Sequence, residues 1–201
     1  RGLGDVYKRQ TLYMLNGADG GEGIANWLRQ TDIVTYYGGN EDPNKGTVSP
    51  GIGANIVIPM SGAYSYYTDW ITEPNTPAIK GPQKWETFLT RELPQAIEPA
   101  LKANDKRAIA GMSMTGTTSL LYAQHHPGFY DSVGSFSGCA ATTTGLTPQF
   151  IDLVLNRGGT DFTKMWGPVN GKVARDNDAL INAEKLRGQK NIYVSTSSGF
   201  P

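Results

Sequence analysis

An α/β fold, with a mostly parallel sheet covered by helices on both faces, is what this 201-residue sequence predicts, and three observations predict it. Short apolar runs alternate with stretches of helical character, the order that crossover connections of one hand require. The core of one run, Ile56-Val57-Ile58, is apolar at consecutive positions, as in a strand buried on both faces. Frequent glycine (25) and proline (12) fit many loops between short elements.

The elements follow in order. Residues 1–10 are charged and lack periodicity, and read as an unrelated or disordered junction segment; residues 11–201 read as one domain. Residues 11–15 form a strand that stops at Asn16-Gly17-Ala18-Asp19-Gly20-Gly21. A helix is expected around residues 23–30, a strand at 33–37, turns over 38–53 and a strand at 55–59. Residues 84–103 read as helical, interrupted by Pro94 and Pro99 into two short helices or one kinked helix. Residues 107–110 are a strand, 115–125 a helix ended by Pro127, and 131–136 the next strand. A short helix at 148–155, part of another at 182–185 and a last strand at 191–195 complete the pattern.

Composition excludes several classes. With 18 basic and 18 acidic residues the formal net charge is zero, so nothing builds the basic surface that nucleic acid needs. No run of 18 apolar residues reads as a transmembrane segment, and no signal peptide is visible in a chain that opens on Arg1. Cys139 is the one cysteine, so no internal disulfide forms. No ligand cluster suggests a metal. The glycine-rich residues 51–55 precede a strand instead of following one, which is backwards for a dinucleotide loop; no cofactor is expected.

The chemistry is concentrated in Ala108-Ile109-Ala110-Gly111-Met112-Ser113-Met114-Thr115-Gly116. An apolar strand enters a Gly-x-Ser turn and a helix follows, the way an α/β-hydrolase sheet presents a nucleophilic serine. On this motif alone a plain strand-to-helix connection stays open. Gly111 is the small residue two before Ser113, whereas the usual small residue two after it is replaced by Thr115. An acyl-transfer serine also needs two backbone N–H groups for the tetrahedral oxyanion. One should be that of Met114, at the helix start, and the other should come from the loop Asn16-Gly17-Ala18 after an earlier strand. The activating base is the difficulty. His125 and His126, the only histidines, lie twelve and thirteen residues after Ser113. Along a helix that is roughly 18 Å, whereas a general base must sit about 3 Å from its proton. They read as residues of a helix C-terminus. The block Ser61-Gly62-Ala63-Tyr64-Ser65-Tyr66-Tyr67-Thr68-Asp69-Trp70, just after a strand, is either a surface that stacks on a sugar or a packed surface loop.

Taken together these residues resemble the antigen 85 and corynebacterial mycolyltransferase family, within the esterase D-like α/β-hydrolases. The resemblance rests on Tyr13-Met14-Leu15-Asn16-Gly17, Ile58-Pro59, Ser65-Tyr66-Tyr67-Thr68-Asp69-Trp70, and Lys84-Trp85-Glu86-Thr87-Phe88-Leu89-Thr90. Gly111-Met112-Ser113-Met114, His126-Pro127, Ser137-Gly138, Met165-Trp166-Gly167-Pro168 and Arg175-Asp176-Asn177-Asp178 continue it in the same order.

The resemblance implies transfer of a mycolyl group between trehalose esters, or onto cell-wall arabinogalactan, by a secreted or envelope protein. It implies Ser113 as the acylated nucleophile and the N–H groups of Ala18 and Met114 as the oxyanion hole. Asn16, Asp19, Asp69 and Trp70 become candidate sugar-binding residues, with Asn16 and Asp19 replacing an acidic residue and an arginine of relatives. The family's glutamate and histidine follow the last strand and are implied beyond Pro201. The chain is therefore expected to be a truncated, partial domain, inactive by itself and marginally stable, with an open sheet edge. A carboxylesterase of the esterase D type and a non-catalytic envelope protein that binds glycolipid or matrix protein are the alternatives.

Overall fold

The computed structural model describes residues 9–40 and 49–196. In chain order the elements are β1 (Arg9–Leu15), α1 (Trp27–Gln30), α2 (Ile33–Gly38), a short antiparallel ladder of β2 (Gly39–Asn40) with β3 (Ser49–Pro50), and β4 (Asn55–Val57). After a long loop come α3 (Trp85–Thr87), a widened π-helical turn (Phe88–Glu92) and α4 (Leu93–Ile97). Then follow β5 (Ala103–Met112), α5 (Met114–His125), β6 (Ser132–Phe136), α6 (Thr147–Leu155), α7 (Phe162–Trp166), α8 (Lys172–Asp176) and β7 (Ile192–Ser195).

The main sheet has five strands in the order β4-β1-β5-β6-β7, and every pairing in it is parallel. Successive side chains of a strand point to opposite faces, and the core divides accordingly. Tyr13, Leu15, Ile109 and Val133 enter the larger core with Leu89, Ile151, Leu155, Phe162, Met165 and Trp166. Met14 and Ala110 face the other way, against Trp27 and Ile33 of α1 and α2. Helix α5 lies inside the larger core, with every residue from Met114 to Gln124 buried. The predicted α/β class, a mostly parallel sheet with helices on both faces, is the observed one.

Several local expectations are corrected. Residues 33–37 form a helix instead of a strand, although Ile, Val, Thr and Tyr favour strands. Ile33 and Tyr37, four apart, share the second core while Val34 and Tyr36 are exposed, so helical spacing serves burial here. The helix expected at 23–30 shrinks to α1, because Asn26 is a fully buried N-cap whose side chain accepts from Arg29 N (2.9 Å) and donates to Gly23 O (2.9 Å). Residues 85–97 stay one helical run, whose π turn precedes Pro94, a residue with no N–H to give the preceding turn. Residues 183–186 make only a 3₁₀ turn. Helices α7 and α8, five residues each, are too short for a period to reveal. Strand β1 begins at Arg9, inside the segment read as a junction, and residues 1–8 lie outside the described residues. Among the described residues β7 is an edge strand, with Ile192, Tyr193 and Val194 exposed.

The topology places a crevice. After β1 the chain leaves toward β4, and after β5 it leaves the opposite way, toward β6. Loops that depart in opposite directions open a cleft at the strands' C-terminal ends, where α/β sheets bind ligands. Asn16-Gly17-Ala18 and Ser113-Met114 both lie there, directly after the neighbouring strand ends Leu15 and Met112.

Candidate active site

Ser113 occupies the bend between β5 and α5, with φ 56° and ψ −118°. L-residues rarely adopt that backbone, at a cost on the order of 1–3 kcal/mol, and it persists only when the surroundings impose it. Here they do. Ser113 N donates to Phe136 O (2.8 Å) and Gly116 N donates to Ser113 O (3.0 Å). A Cβ on Gly111 would lie 2.0 Å from Thr115 O, and one on Gly138 would lie 2.3 Å from Gly116 C, so glycine alone lets strand, bend and next loop come this close. The Ser113 side chain is exposed, and its hydroxyl has no hydrogen-bond partner among the described residues.

The two expected oxyanion donors stand on either side of the crevice. Met114 begins α5, so its N–H has no acceptor one turn earlier. Ala18 is half-buried; its carbonyl accepts from Tyr64 N (2.7 Å), while its N–H meets no acceptor among the described residues. Gly17 precedes Ala18 and packs under the loop: an added Cβ there would lie 3.3 Å from Ala25 O, and 4.0 Å from Met112 Cγ at the end of β5.

The candidate sugar contacts are placed differently. Asn16 is fully buried: its Oδ1 accepts from Trp27 N (3.1 Å) and its Nδ2 donates to Pro59 O (2.7 Å). Trp70 is buried too, with its indole N–H donated to Ser65 O (2.9 Å). Both are corrected from sugar contacts to internal posts, because no free polar atom or ring face remains. Tyr66 and Tyr67 are buried as well, so the 65–70 block is a packed loop. Half-buried Asp19 accepts from Gly21 N and Ala25 N (both 3.1 Å) and closes the 19–25 loop. Asp69 accepts from Thr87 N (3.2 Å) and Thr87 Oγ1 (2.5 Å), tying its loop to α3.

Neither histidine approaches Ser113. At the far end of α5, His125 Nδ1 (2.9 Å) and His126 Nε2 (2.8 Å) both meet Glu86 Oε1, and His125 Nε2 meets Asp176 O (3.0 Å). Burial works against the Glu86 charge, but the hydrogen bonds from His125 and His126 outweigh it and hold the carboxyl down to about 2. Burial likewise opposes a charged His125, and its bond to Glu86 overcomes this and raises its pKa. Chain reading missed this cluster because Glu86 is 39 and 40 residues from its partners.

No group of His, Cys, Asp and Glu among the described residues could hold a metal. No helix there is long and apolar enough to cross a membrane. A cavity of about 680 Å³, lined by Thr90, Arg91, Glu98 and Arg107, adjoins the start of β5 and is remote from Ser113.

Comparison with known proteins agrees with this fold. The profile of the family described as putative esterase matches residues 7–200. Diacylglycerol acyltransferase/mycolyltransferase Ag85B of Mycobacterium leprae is 30% identical over 194 residues, covering 94% of this chain and 55% of that protein. The chain thus spans about half the length of the curated relatives it matches. The crystal structure of Mycobacterium tuberculosis MPT51 (FbpC1) superposes with a TM-score of 0.72 at 26% identity, over 93% of this chain and 64% of that one. The Staphylococcus aureus fluorophosphonate-binding serine hydrolase FphF shares the fold, with a TM-score of 0.61 at 15% identity over 93% of this chain and 63% of its own.

Proposed function

Because the chain belongs to the putative esterase family, we propose that Ser113 is an acyl-accepting nucleophile in a serine esterase or acyltransferase. The observation that carries this reading is an exposed serine in a strained backbone at the C-terminal edge of a parallel sheet. In the proposed reaction Ser113 Oγ loses its proton to a base and attacks an ester carbonyl. The Ala18 and Met114 amides receive the oxyanion, the alcohol departs with a proton, and an acyl-serine remains. A second hydroxyl collects the acyl group, or water does in hydrolysis.

The finer proposal is a mycolyl or similar long acyl chain moved between trehalose esters, or onto arabinogalactan, at the cell envelope. Likeness to Ag85B, named as a mycolyltransferase, supports it. The base is proposed to be an imidazole outside the described residues, since both histidines of the chain are held on Glu86. That commitment also favours a second reading, an envelope protein that binds glycolipid in the same crevice without turnover.

A fluorophosphonate probe is expected to label the chain slowly at Ser113, and Ser113→Ala to remove the label. Added imidazole is expected to accelerate labelling by about tenfold or more, as a general base does. Labelling elsewhere than Ser113 would sink the nucleophile. Labelling at Ser113 that ignores imidazole would favour the non-catalytic reading.

A further inference from the structure

Helix α5 opens with Thr115, Gly116, Thr117, Thr118 and Ser119, residues that are poor helix formers. Three of their hydroxyls reach outside the helix, each to a different loop at the C-terminal edge of the sheet. Thr117 Oγ1 accepts from Cys139 N (2.9 Å), after β6. Thr118 Oγ1 donates to Tyr66 O, in the loop after β4. Thr115 Oγ1 accepts from Met112 N (3.0 Å) and lies 2.8 Å from Asn16 O and 2.9 Å from Leu15 O, at the end of β1, and 3.1 Å from Met112 O. All three threonines are buried.

We infer that Thr115 is a positioning residue that sets the spacing of the two oxyanion amides. The inference rests on Ser113 being the nucleophile. One amide, of Met114, belongs to the bend; the other, of Ala18, belongs to a segment about a hundred residues earlier. The ladder between β1 and β5 ends at Leu15 and Gly111. Beyond it, the Thr115 hydroxyl supplies one more rung, taking the Met112 N–H and giving its proton to a β1-end carbonyl, since Asn16 O and Leu15 O both lie nearer than Met112 O. A threonine that bonded only its own helix would leave Asn16-Gly17-Ala18 free to move against Ser113. Thr115 sits two after the serine, where the motif usually has a small residue, so the departure in sequence has a purpose in space. Glycine there would bring no hydroxyl to the β1 loop.

Thr115→Val keeps the shape and removes the hydroxyl. Labelling of Ser113 by a fluorophosphonate, with the same imidazole present throughout, is expected to slow about 10- to 100-fold at saturating probe, a fraction of what deleting an oxyanion donor costs. The half-saturating probe concentration should stay within about twofold, because the ground-state probe does not yet carry the oxyanion. Amide hydrogen exchange at Gly17, whose N–H donates to Ala25 O (3.4 Å), and at Gly20, whose N–H donates to Gly17 O (3.0 Å), should quicken about tenfold or more as the loop loosens. Thr115→Ser should restore both, which loss of packing alone does not predict. If Thr115→Val does not fold, Thr115→Ala takes its place. Unchanged labelling together with unchanged exchange overturns the inference. A wild-type chain that never labels at Ser113 overturns the nucleophile instead, and exchange at Gly17 and Gly20 then decides the role of Thr115 alone.

Discussion

Gly111→Ala is expected to lower stability by about 3 kcal/mol or more and to abolish Ser113 labelling in whatever fraction stays folded. The added Cβ would stand 2.0 Å from Thr115 O and 2.4 Å from Thr115 C. Both are backbone atoms, so no rotamer change relieves the overlap. The strand end or the first turn of α5 must move, and either movement displaces Ser113 and the Thr115 hydroxyl that reaches β1. Gly53→Ala is the control: it has a positive φ, at 64°, which Gly111 does not, but no atom within 4 Å. Its cost should stay near about 1 kcal/mol, since only backbone conformation opposes it. Thermal melting of both variants with labelling at 25 °C checks this. A Gly111→Ala protein that melts and labels like wild type would show that the bend is not as tight as described.

The second large effect is a stability that depends on pH through the Glu86 cluster. His125 has an acceptor at each ring nitrogen: the Glu86 carboxylate at Nδ1 and the Asp176 carbonyl at Nε2. An ionised carboxylate and a carbonyl cannot donate, so only the doubly protonated imidazolium satisfies both. The raised pKa of His125 agrees. Its surroundings are Glu86 from α3, His126, the residue that caps α5, the Asp176 carbonyl from α8, and Lys185, whose charge opposes it.

The signs follow from linkage. His125 titrates higher in the folded chain than its reference value of 6.5, so its contribution is whole below 6.5 and is lost as pH rises through the folded value. Glu86 titrates at about 2 against a reference of 4.5, so its contribution is whole above 4.5 and is lost as pH falls through about 2. The cluster therefore stabilises most between 4.5 and 6.5. Glu86→Ala should cost about 3 kcal/mol at pH 5.5, because it strands an imidazolium whose side chain is only 19% exposed. The alkaline decline of wild type should shrink in the variant as the penalty fades. Urea melts at pH 5.5 and 8.5 measure both, and an equal loss at the two pH values would refute the charged cluster.

Much of the site is legible along the chain because it is local. Gly111, Ser113 and Met114 are neighbours in sequence, and a strand-bend-helix unit carries its geometry with it. The α/β class follows from the same kind of signal, apolar runs alternating with helical stretches. What the chain could not reveal depends on burial. The resemblance offered Trp70 and Asn16 as candidate sugar contacts, yet packing places both inside and uses their polar atoms. Residues 33–37 favour a strand by propensity, and the sheet face that receives Ile33 and Tyr37 makes them a helix. Glu86 finds its histidines, and Thr115 finds the end of β1, only once the crossovers bring distant segments together. Local steric rules thus determined the bend and the order of elements. Which polar groups point into the crevice was decided by tertiary packing, because only the folded core determines whose hydrogen bonds are already taken.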